Sequence, residues 1–344
     1  MEIFMLHLSK PILMKKLILF LLTITCAVEL SNAQDTAKSN ASGWKIITTQ
    51  EEPVKREDCA FVECNGHFYL LGGRGIKPVD VFDPGTNTWE HRKNAPLELH
   101  HSQAVAYKNN IYVIGGMTGG YPHEKPLENI YIYNTANDEW QKGPAMPAGR
   151  LRGSGGTVIY NGKFYLVCGI QDGHFDGTVT WMDEFDPETN AWRTMPDAPH
   201  ARDHFNAVII GHELYCAGGR RTSAKTKELM QLTVSEVDVF DFKNQVWKTL
   251  PVSESLPTPR AGCTALNWKQ KLVVIGGESI TQIESHHEVE AFDLKKGKWT
   301  KLPGLITGRH DTGALCYKNK IYIVAGAANR GGGPDQSSIE VLNP

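Results

Sequence analysis

The sequence lacks most of the marks that assign a protein quickly to a class of enzyme. It contains no HExxH, CxxC or GxSxG motif, so the usual signatures of zinc proteases, zinc ribbons and serine hydrolases are absent. Its net charge is only −2, which argues against binding nucleic acid through overall charge. After Ala33 it has no long stretch with the apolar spacing of a helix. The last of these absences argues against a helical domain.

The amino-terminal 33 residues have the pattern of a secretory signal peptide. Lys15 and Lys16 form a basic start, an apolar run follows at 17–28, and Ser31-Asn32-Ala33 is a small-residue cleavage site. Met14 is an alternative start of the same signal. We therefore predict a signal peptide at 1–33 and an exported protein, either periplasmic or secreted.

The rest of the chain is predicted to be a short linker at 34–43 and one domain at 44–344. No later run is apolar for long enough to span a bilayer, so we predict no membrane span. The six cysteines after the cleavage site all fall in strand patterns, which favours buried thiols over disulfides or a zinc site.

A short pattern ending in a glycine pair, or in a single glycine at the same place, returns through the whole domain. Self-similarity at a period of about 40–60 residues indicates a repeat architecture. The copies are Tyr69–Gly73, Tyr112–Gly116, Tyr165–Gly169, Tyr215–Gly219, Val273–Gly277 and Tyr322–Gly326.

Each repeat predicts four short antiparallel strands joined by tight turns. The fourth strand of the first five units carries a tryptophan, but the sixth unit stops after its third strand, at 339–342. The segment Gly43–Ile47 reads as an orphan fourth strand with its own Trp44. Pairing it with the last unit would close a ring and remove the open sheet edges.

These repeats resemble the Kelch family. The glycine pairs, the turn patterns Phe82–Trp89 and Phe185–Trp192, and the unit length carry the resemblance, which covers Trp44 to Pro344. It implies an all-β, six-bladed Kelch β-propeller with four antiparallel strands per blade and a last blade closed by the N-terminal strand. It does not imply one function, because Kelch propellers include enzymes, sugar binders and protein-docking platforms.

The start of the first strand carries a recurring arginine and, two positions later, a variable residue. The first strand is innermost in Kelch propellers, so the resemblance places both positions at the mouth of the central channel. Two roles remain open for the arginines, bracing of the strands through backbone carbonyls or binding of an anionic ligand. The arginines are Arg56, Arg152, Arg202, Arg260 and Arg309, and the variable residues are Asp58, His101, Ser154, His204, Gly262 and Asp311.

The loops after the glycine pairs are expected on the same face and are rich in cations. Such a bias favours an anionic ligand, and the arginine fork suits a carboxylate or a sulfate. We predict acid–base roles for His101, His204 and His310. The predicted ligand-binding residues are Arg56, Arg152, Arg202, Asp203, Arg260, Glu278, Arg309, Arg330, Gln103, His174 and Tyr121.

We therefore predict an exported propeller that binds an acidic or sulfated carbohydrate at the channel mouth, with chemistry of a mutarotase, epimerase or lyase type as an extension. Six blades, export and the arginine-rich mouth resemble the sialic-acid mutarotases. The first alternative is a propeller that docks a glycan or another exported protein without chemistry. The second is a copper oxidase similar to galactose oxidase.

The sequence predicts no cofactor and no metal site within a single motif. Adjacent side chains of an extended chain point to opposite faces, so His100-His101 or His286-His287 can each contribute one histidine to a shared site. A metal site assembled across blades therefore stays open. The predicted partner is an anionic carbohydrate, with nucleic acid excluded.

Overall fold

A computed structural model of the chain describes residues 43–343. The predicted signal peptide and nearly all of the predicted linker lie outside these residues. The described chain forms six four-stranded sheets and two short two-stranded hairpins, with neighbouring strands antiparallel throughout. One 3-10 turn, Val252–Glu254, is the single helical element of the described range. The predicted six-bladed, all-β architecture is confirmed.

The strands follow the repeats in order, and we number the blades from the first complete repeat. The chain begins with β1 (Trp44–Ile46). Blade 1 contains β2 (Cys59–Cys64), β3 (His67–Gly72), β4 (Pro78–Asp83) and β5 (Thr88–Asn94). Blade 2 and its loop hairpin contain β6 (Val105–Tyr107), β7 (Asn110–Val113), β8 (Met117–Thr118), β9 (Lys125–Pro126), β10 (Asn129–Asn134) and β11 (Glu139–Ala145).

Blades 3 and 4 repeat this order. Blade 3 and its loop hairpin contain β12 (Gly156–Tyr160), β13 (Lys163–Val167), β14 (Ile170–Asp172), β15 (Asp176–Thr178), β16 (Met182–Asp186) and β17 (Ala191–Met195). Blade 4 contains β18 (Ala207–Ile210), β19 (Glu213–Cys216), β20 (Asp238–Asp241) and β21 (Val246–Thr249).

Blades 5 and 6 complete the ring. Blade 5 contains β22 (Thr264–Trp268), β23 (Lys271–Ile275), β24 (Val289–Asp293) and β25 (Lys298–Lys301). Blade 6 takes three strands from the end of the chain, β26 (Ala314–Tyr317), β27 (Lys320–Val324) and β28 (Ile339–Leu342).

The fourth strand of blade 6 comes from the start of the domain. Strand β1 pairs antiparallel with β28, with Trp44 opposite Leu342 and Ile46 opposite Glu340. Trp44 is fully buried, and its indole N–H donates to the Pro303 carbonyl of the preceding blade at 2.8 Å. The predicted closure by the N-terminal strand is therefore confirmed.

The repeated tryptophan has a physical role between blades. The indole N–H of Trp192, Trp247 and Trp299 each donates to a backbone carbonyl at the end of the preceding blade, at 2.8–3.0 Å. Each ring also packs against the aromatic residue of the neighbouring third strand, at centroid separations of 4.9–5.2 Å. Each of these tryptophans thus stabilises its own sheet and the interface with the preceding blade.

The six described cysteines are free thiols. Five are buried, as the strand patterns predict, whereas Cys316 on β26 is exposed. Separately, no helix in residues 43–343 is long and apolar enough to cross a membrane.

Candidate functional site

Six residues, one from each blade, line the central channel just below its mouth. They are the residues that follow the recurring arginine by two positions, or its equivalent Leu99 in blade 2: Asp58, His101, Ser154, His204, Gly262 and Asp311. All six have left-handed backbone conformations, with φ between 51° and 58°. This conformation is unusual for residues other than glycine, so the same local turn is imposed in every blade.

The channel is narrow at the level of these residues. The cavity that they enclose has a volume of about 30 Å³, which is room for a water molecule or two but not for a sugar. A separate bowl of about 390 Å³ lies above it and shares Asp58 and Asp311 with the channel. This bowl is within the range of roughly 300–1,000 Å³ that is usual for small-molecule sites.

The five recurring arginines are not part of this bowl, contrary to the predicted ligand role. Their side chains are at most 1% exposed, and each guanidinium donates to backbone carbonyls of its own blade. Each also pairs with a buried carboxylate on the third strand. The pairs are Arg56–Asp80, Arg152–Asp183, Arg202–Asp238, Arg260–Glu290 and Arg309–Glu340. Burial and these partners favour the bracing role, in which Nε of Arg202 is the one guanidinium atom of the five side chains left buried without a hydrogen bond.

A signal for this bracing is present in the sequence. The acidic partner stands two residues before the aromatic or leucine residue of the third strand in the same five repeats. Blade 2 has Leu99 in place of the arginine and Tyr131 in place of the acid. The two residue types are therefore present together or missing together, as a structural pair requires.

Three imidazoles from three different blades meet at the junction of channel and bowl. His101 starts blade 2, His174 lies in the β14–β15 hairpin of blade 3, and His204 starts blade 4. Their ring centroids are 4.8–5.0 Å apart. His174 also packs against Tyr121, on the bowl wall, at 5.4 Å. The structure thus brings together three of the predicted site histidines.

Each imidazole is oriented by a hydrogen-bond partner at its Nδ1 atom. His174 Nδ1 is 2.8 Å from Glu124 Oε1, and His204 Nδ1 is 2.5 Å from Asp203 Oδ1. His101 Nδ1 is 2.7 Å from Nδ1 of His100. Asp203, predicted to bind ligand, therefore orients an imidazole instead.

Arg220 and Glu278 form a buried ion pair beside the imidazoles. The guanidinium Nη1 donates to Glu278 Oε1 at 2.5 Å, and the other carboxylate oxygen accepts from the Gly331 N–H at 2.7 Å. The Nε and Nη2 atoms of Arg220 are buried without a hydrogen-bond partner. His310 completes this group, with Nε2 3.4 Å from Glu278 Oε2 and Nδ1 2.9 Å from Ser285 Oγ.

Several of these residues were not among the predicted site residues. Arg74 bridges Asp58 and Glu124, at 2.6 Å and 2.9 Å. Arg74 and Arg220 each follow a glycine pair directly, at the point where the chain leaves the second strand. That shared position is the sequence signal for both, whereas Glu124 belongs to no repeated pattern.

The remaining predicted residues take varied places. Gln103 bridges three blades, since its amide bonds to the backbone of Thr157 and Ala207. Tyr121 stands on the bowl wall and is 65% exposed. Arg330 is half-buried beside the bowl residue Gly331 and donates to the Ile280 carbonyl at 2.7 Å.

The electrostatics of the junction favour neutral imidazoles. Burial, followed by the neighbouring His204 and His174 rings, lowers the pKa of His101 well below its usual value. Burial lowers the pKa of His174 to about 4, although the Glu124 carboxylate opposes the shift. These rings therefore present unprotonated nitrogen atoms at neutral pH.

The carboxyl groups of the bowl are shifted in opposite directions. Burial and the nearby charge of Asp311 raise the pKa of Asp58 well above its usual range. Burial alone would also raise the pKa of Glu278, but His310 and Arg220 bring it down to about 2. The bowl wall thus holds an ionised carboxylate and a carboxyl that retains its proton more readily.

Comparisons with known proteins agree with this fold. The family model described as Attractin/LZTR1 beta-propeller matches residues 29–285. The chain is 29% identical to Kelch-like protein terF of Aspergillus terreus, over 81% of this chain and 63% of that protein. It is 23% identical to human Kelch-like protein 38, over 75% of this chain and 42% of that protein. The chain therefore spans less than two thirds of these relatives.

A solved structure has the same architecture. The structure of YjhT superimposes with a TM-score of 0.71 at 19% identity, covering 86% of this chain and 99% of that one. At this identity the likeness concerns the fold. Taken with the repeats and the six sheets, the family match shows that the chain belongs to the Attractin/LZTR1 beta-propeller family of Kelch-type propellers.

Proposed function

We propose that this protein is an exported propeller that binds a carbohydrate in the bowl at the channel mouth and carries out acid–base chemistry on it. The observation that carries the proposal is the lining of the bowl. Carboxyl groups, imidazoles, an arginine and an exposed tyrosine converge on one space of about 390 Å³: Glu57, Asp58, Glu278, Asp311, His174, His310, Arg74 and Tyr121. Convergent polar groups in a concave site are what a small polar ligand requires.

A carbohydrate suits this lining better than an apolar ligand does. Sugar hydroxyls donate to carboxylates and accept from guanidinium groups, and both kinds of partner stand on the bowl wall. Tyr121 is 65% exposed at the rim and offers a flat face to a sugar ring.

The anionic group of the ligand is assigned to two arginines that adjoin bowl residues, Arg220 beside Glu278 and Arg330 beside Gly331. Arg220 is fully buried, its Nε and Nη2 atoms make no hydrogen bond, and Nε is 3.6 Å from Asp203 Oδ1, so an acidic oxygen that reached the guanidinium would accept from both atoms. Arg330 stands half-buried next to Gly331 on the wall. Arg74, which lines the bowl itself, is engaged by Asp58 and Glu124.

His310 is the group best placed for acid–base chemistry. It lies on the bowl wall, with Nδ1 fixed by Ser285 and Nε2 3.4–3.5 Å from Glu278 and Asp311. An oriented imidazole beside two carboxyl groups can pass a proton to and from a ring oxygen or an anomeric hydroxyl, as a mutarotase does, or remove a proton from carbon and return it, as an epimerase does.

A screen of acidic, sulfated and neutral sugars tests the proposal. Binding is measured by calorimetry, and interconversion of anomers or epimers by NMR. We expect Glu278→Gln to weaken binding and Glu284→Gln, whose side chain is 79% exposed, to leave it unchanged. We expect His310→Asn to slow turnover more than it weakens binding, with His287→Asn as the matched control. Failure of every sugar to bind the wild type would end the proposal.

Exposed apolar side chains favour docking as the second candidate function. Phe175, Ile280 and Ile283 are 42–69% exposed in the loops that follow the second strands. A folded partner or a polymeric glycan would cover such a surface. If binding of a glycan or a partner protein persists in Glu278→Gln but is lost in Ile283→Ser, the result would favour a docking function and not ligand binding in the bowl.

A further inference from the structure

The hydrogen bonds of the three imidazoles at the junction of channel and bowl assign the same tautomer to each ring, with the proton on Nδ1 and the lone pair on Nε2. Outside this cluster, Nε2 of His100 lies 3.1 Å from the Gly119 carbonyl, which can only accept a hydrogen bond. Its Nε2 therefore carries the proton, and its Nδ1 carries a lone pair. The Nδ1 of His101 must then donate to His100, which leaves the lone pair of His101 on Nε2.

The same assignment holds for the other two rings. Glu124 and Asp203 accept hydrogen bonds from Nδ1 of His174 and His204, so these Nδ1 atoms are protonated as well. In each ring the remaining lone pair is on Nε2. The Nε2 atoms of His101 and His204 are buried without a hydrogen-bond partner.

We propose that His101, His174 and His204 bind a divalent transition metal ion of the zinc class through their Nε2 atoms. One coordinating nitrogen from each histidine lies within 4.8 Å of the other two. Zinc bonds imidazole nitrogen at about 2.0–2.1 Å, which sets tetrahedral ligand atoms about 3.4 Å apart. Modest movement of the side chains would therefore close the site.

The hydrogen-bond partners at the Nδ1 atoms are of the kind that a metal site requires. Ligating histidines usually donate their second N–H to a carboxylate or another acceptor, which fixes the tautomer and makes the ring a better ligand. Here Glu124, Asp203 and His100 fill that position for His174, His204 and His101. A structural histidine cluster has no need for three such partners that all free the same ring atom.

Asp58 is placed to supply a fourth ligand. Its Oδ1 is 3.1 Å from His101 Nε2, yet that nitrogen takes part in no hydrogen bond. A cation bound by His101 Nε2 and by the ionised carboxylate of Asp58 would join these two atoms. Imidazoles and one carboxylate form a ligand set that suits Zn²⁺ and its neighbours in the first transition row.

Two other sets of residues at the channel mouth are weaker candidates for a metal site. Glu278, His310 and Asp311 are also close enough to share an ion, but Glu278 is already paired with Arg220 and the Gly331 N–H. In the group of Asp58, His101 and Asp311, the other oxygen of Asp58 faces Arg74 at 2.6 Å. Around the imidazole cluster the arginines face carboxylates, Arg74 at Asp58 and Glu124 and Arg220 at Asp203, and leave the three Nε2 atoms free for a metal ion.

Metal binding is tested without any sugar, so this inference stands or falls separately from the proposed function. Untagged wild-type protein is stripped with a chelator and titrated with Zn²⁺ by calorimetry, and Co²⁺ serves as a spectroscopic probe. We expect about one equivalent of metal per chain, with the visible absorption of a tetrahedral cobalt site.

Matched variants locate the site. We expect His204→Asn to lower zinc affinity by a factor of roughly 100 or more, and Asp203→Asn to lower it by roughly 10–100-fold through the oriented ring. His287→Asn, in blade 5, is the control and should leave affinity unchanged. Melting curves of the stripped variants verify that each is folded. Absence of zinc binding in the wild type, or equal affinity in folded His204→Asn, would overturn the proposal.

Discussion

The backbone N–H of His101 donates a 3.0 Å hydrogen bond to the carbonyl of Asp58 in the preceding blade. The same bond recurs from Ser154 to His101, from His204 to Ser154, from Gly262 to His204 and from Asp311 to Gly262, at 2.7–2.9 Å. The Cys59 N–H closes the circle by donating to Asp311 at 3.2 Å. A belt of six backbone hydrogen bonds thus joins all the blades around the channel.

This belt explains the left-handed conformation of the six channel residues. All six aim their carbonyls at one neighbour and all but Asp58 aim their N–H at the other, and φ values of 51–58° achieve this. For residues other than glycine this conformation costs about 1–2 kcal/mol each. The belt also places their side chains around the channel axis, where His101 and His204 meet His174.

Ser154 tests the strain in the belt. Its φ is 55°, and its hydroxyl is buried without a partner. Ser154→Gly relieves both costs, and the greater freedom of glycine in the unfolded chain offsets only part of the gain, so we expect stabilisation of about 1 kcal/mol. Ser154→Val should destabilise the fold, because a β-branched residue tolerates positive φ poorly.

Urea unfolding of the Ser154 variants provides the measurement. Ser253→Gly is the control, because Ser253 is exposed and is not in the left-handed region. There the same replacement should cost a few tenths of a kcal/mol to about 1 kcal/mol. If Ser154→Gly lost as much stability as Ser253→Gly, the belt would not strain the backbone at Ser154, and the prediction would be wrong.

The buried arginines are expected to be essential to the blades. Arg260 is fully buried, donates to three backbone carbonyls within 3.1 Å, and pairs with Glu290 at 2.6 Å. Arg260→Met would leave Glu290 as an unpaired buried carboxylate, so we expect a loss of about 3–5 kcal/mol in the free energy of unfolding.

The control for Arg260 is Arg221→Met, because Arg221 is exposed in the loop after the second strand of blade 4. Surface replacements of this kind change stability by about 0.5 kcal/mol or less. Chemical denaturation compares the two variants with the wild type. Equal stability of Arg260→Met and Arg221→Met would contradict the bracing role and return Arg260 to the list of ligand-binding candidates.

The fold could be predicted from the sequence because its determinants are local and repeated. The glycine pairs and the tryptophan of each fourth strand recur in register, and Trp44, which precedes the first complete repeat, indicates where the ring closes. Whether a repeated arginine faces the channel or the blade interior is a different question. It depends on the partner that the third strand supplies, as Glu290 does for Arg260.

The imidazole cluster could not be predicted from spacing. His101, His174 and His204 belong to three blades, and His174 reaches the other two only because the β14–β15 hairpin folds back over the channel mouth. The sequence correctly places His101 and His204 at equivalent positions of their repeats. The length and turn of an irregular hairpin decide the third member, and no repeated pattern encodes them.

Glu184 allows a test of how pH affects stability outside the site. Its carboxylate is buried on β16 and accepts from Tyr165, Arg193 and Lys163 at 2.7–3.2 Å. Burial alone would raise its pKa, but these partners lower it below the usual value of 4.5. A lowered folded-state pKa stabilises the protein above the unfolded-state pKa, and this stabilisation is lost as the pH falls through the folded-state value.

We therefore expect the wild type to exceed Glu184→Gln in free energy of unfolding by a constant amount from pH 7 to about 5. The difference should shrink below the usual glutamate pKa, because protonated Glu184 and glutamine are both neutral. Urea titrations at half-unit pH steps measure it, with Glu139→Gln, 62% exposed, as the control. A difference that grows as the pH falls would show that the Glu184 pKa is raised in the folded protein.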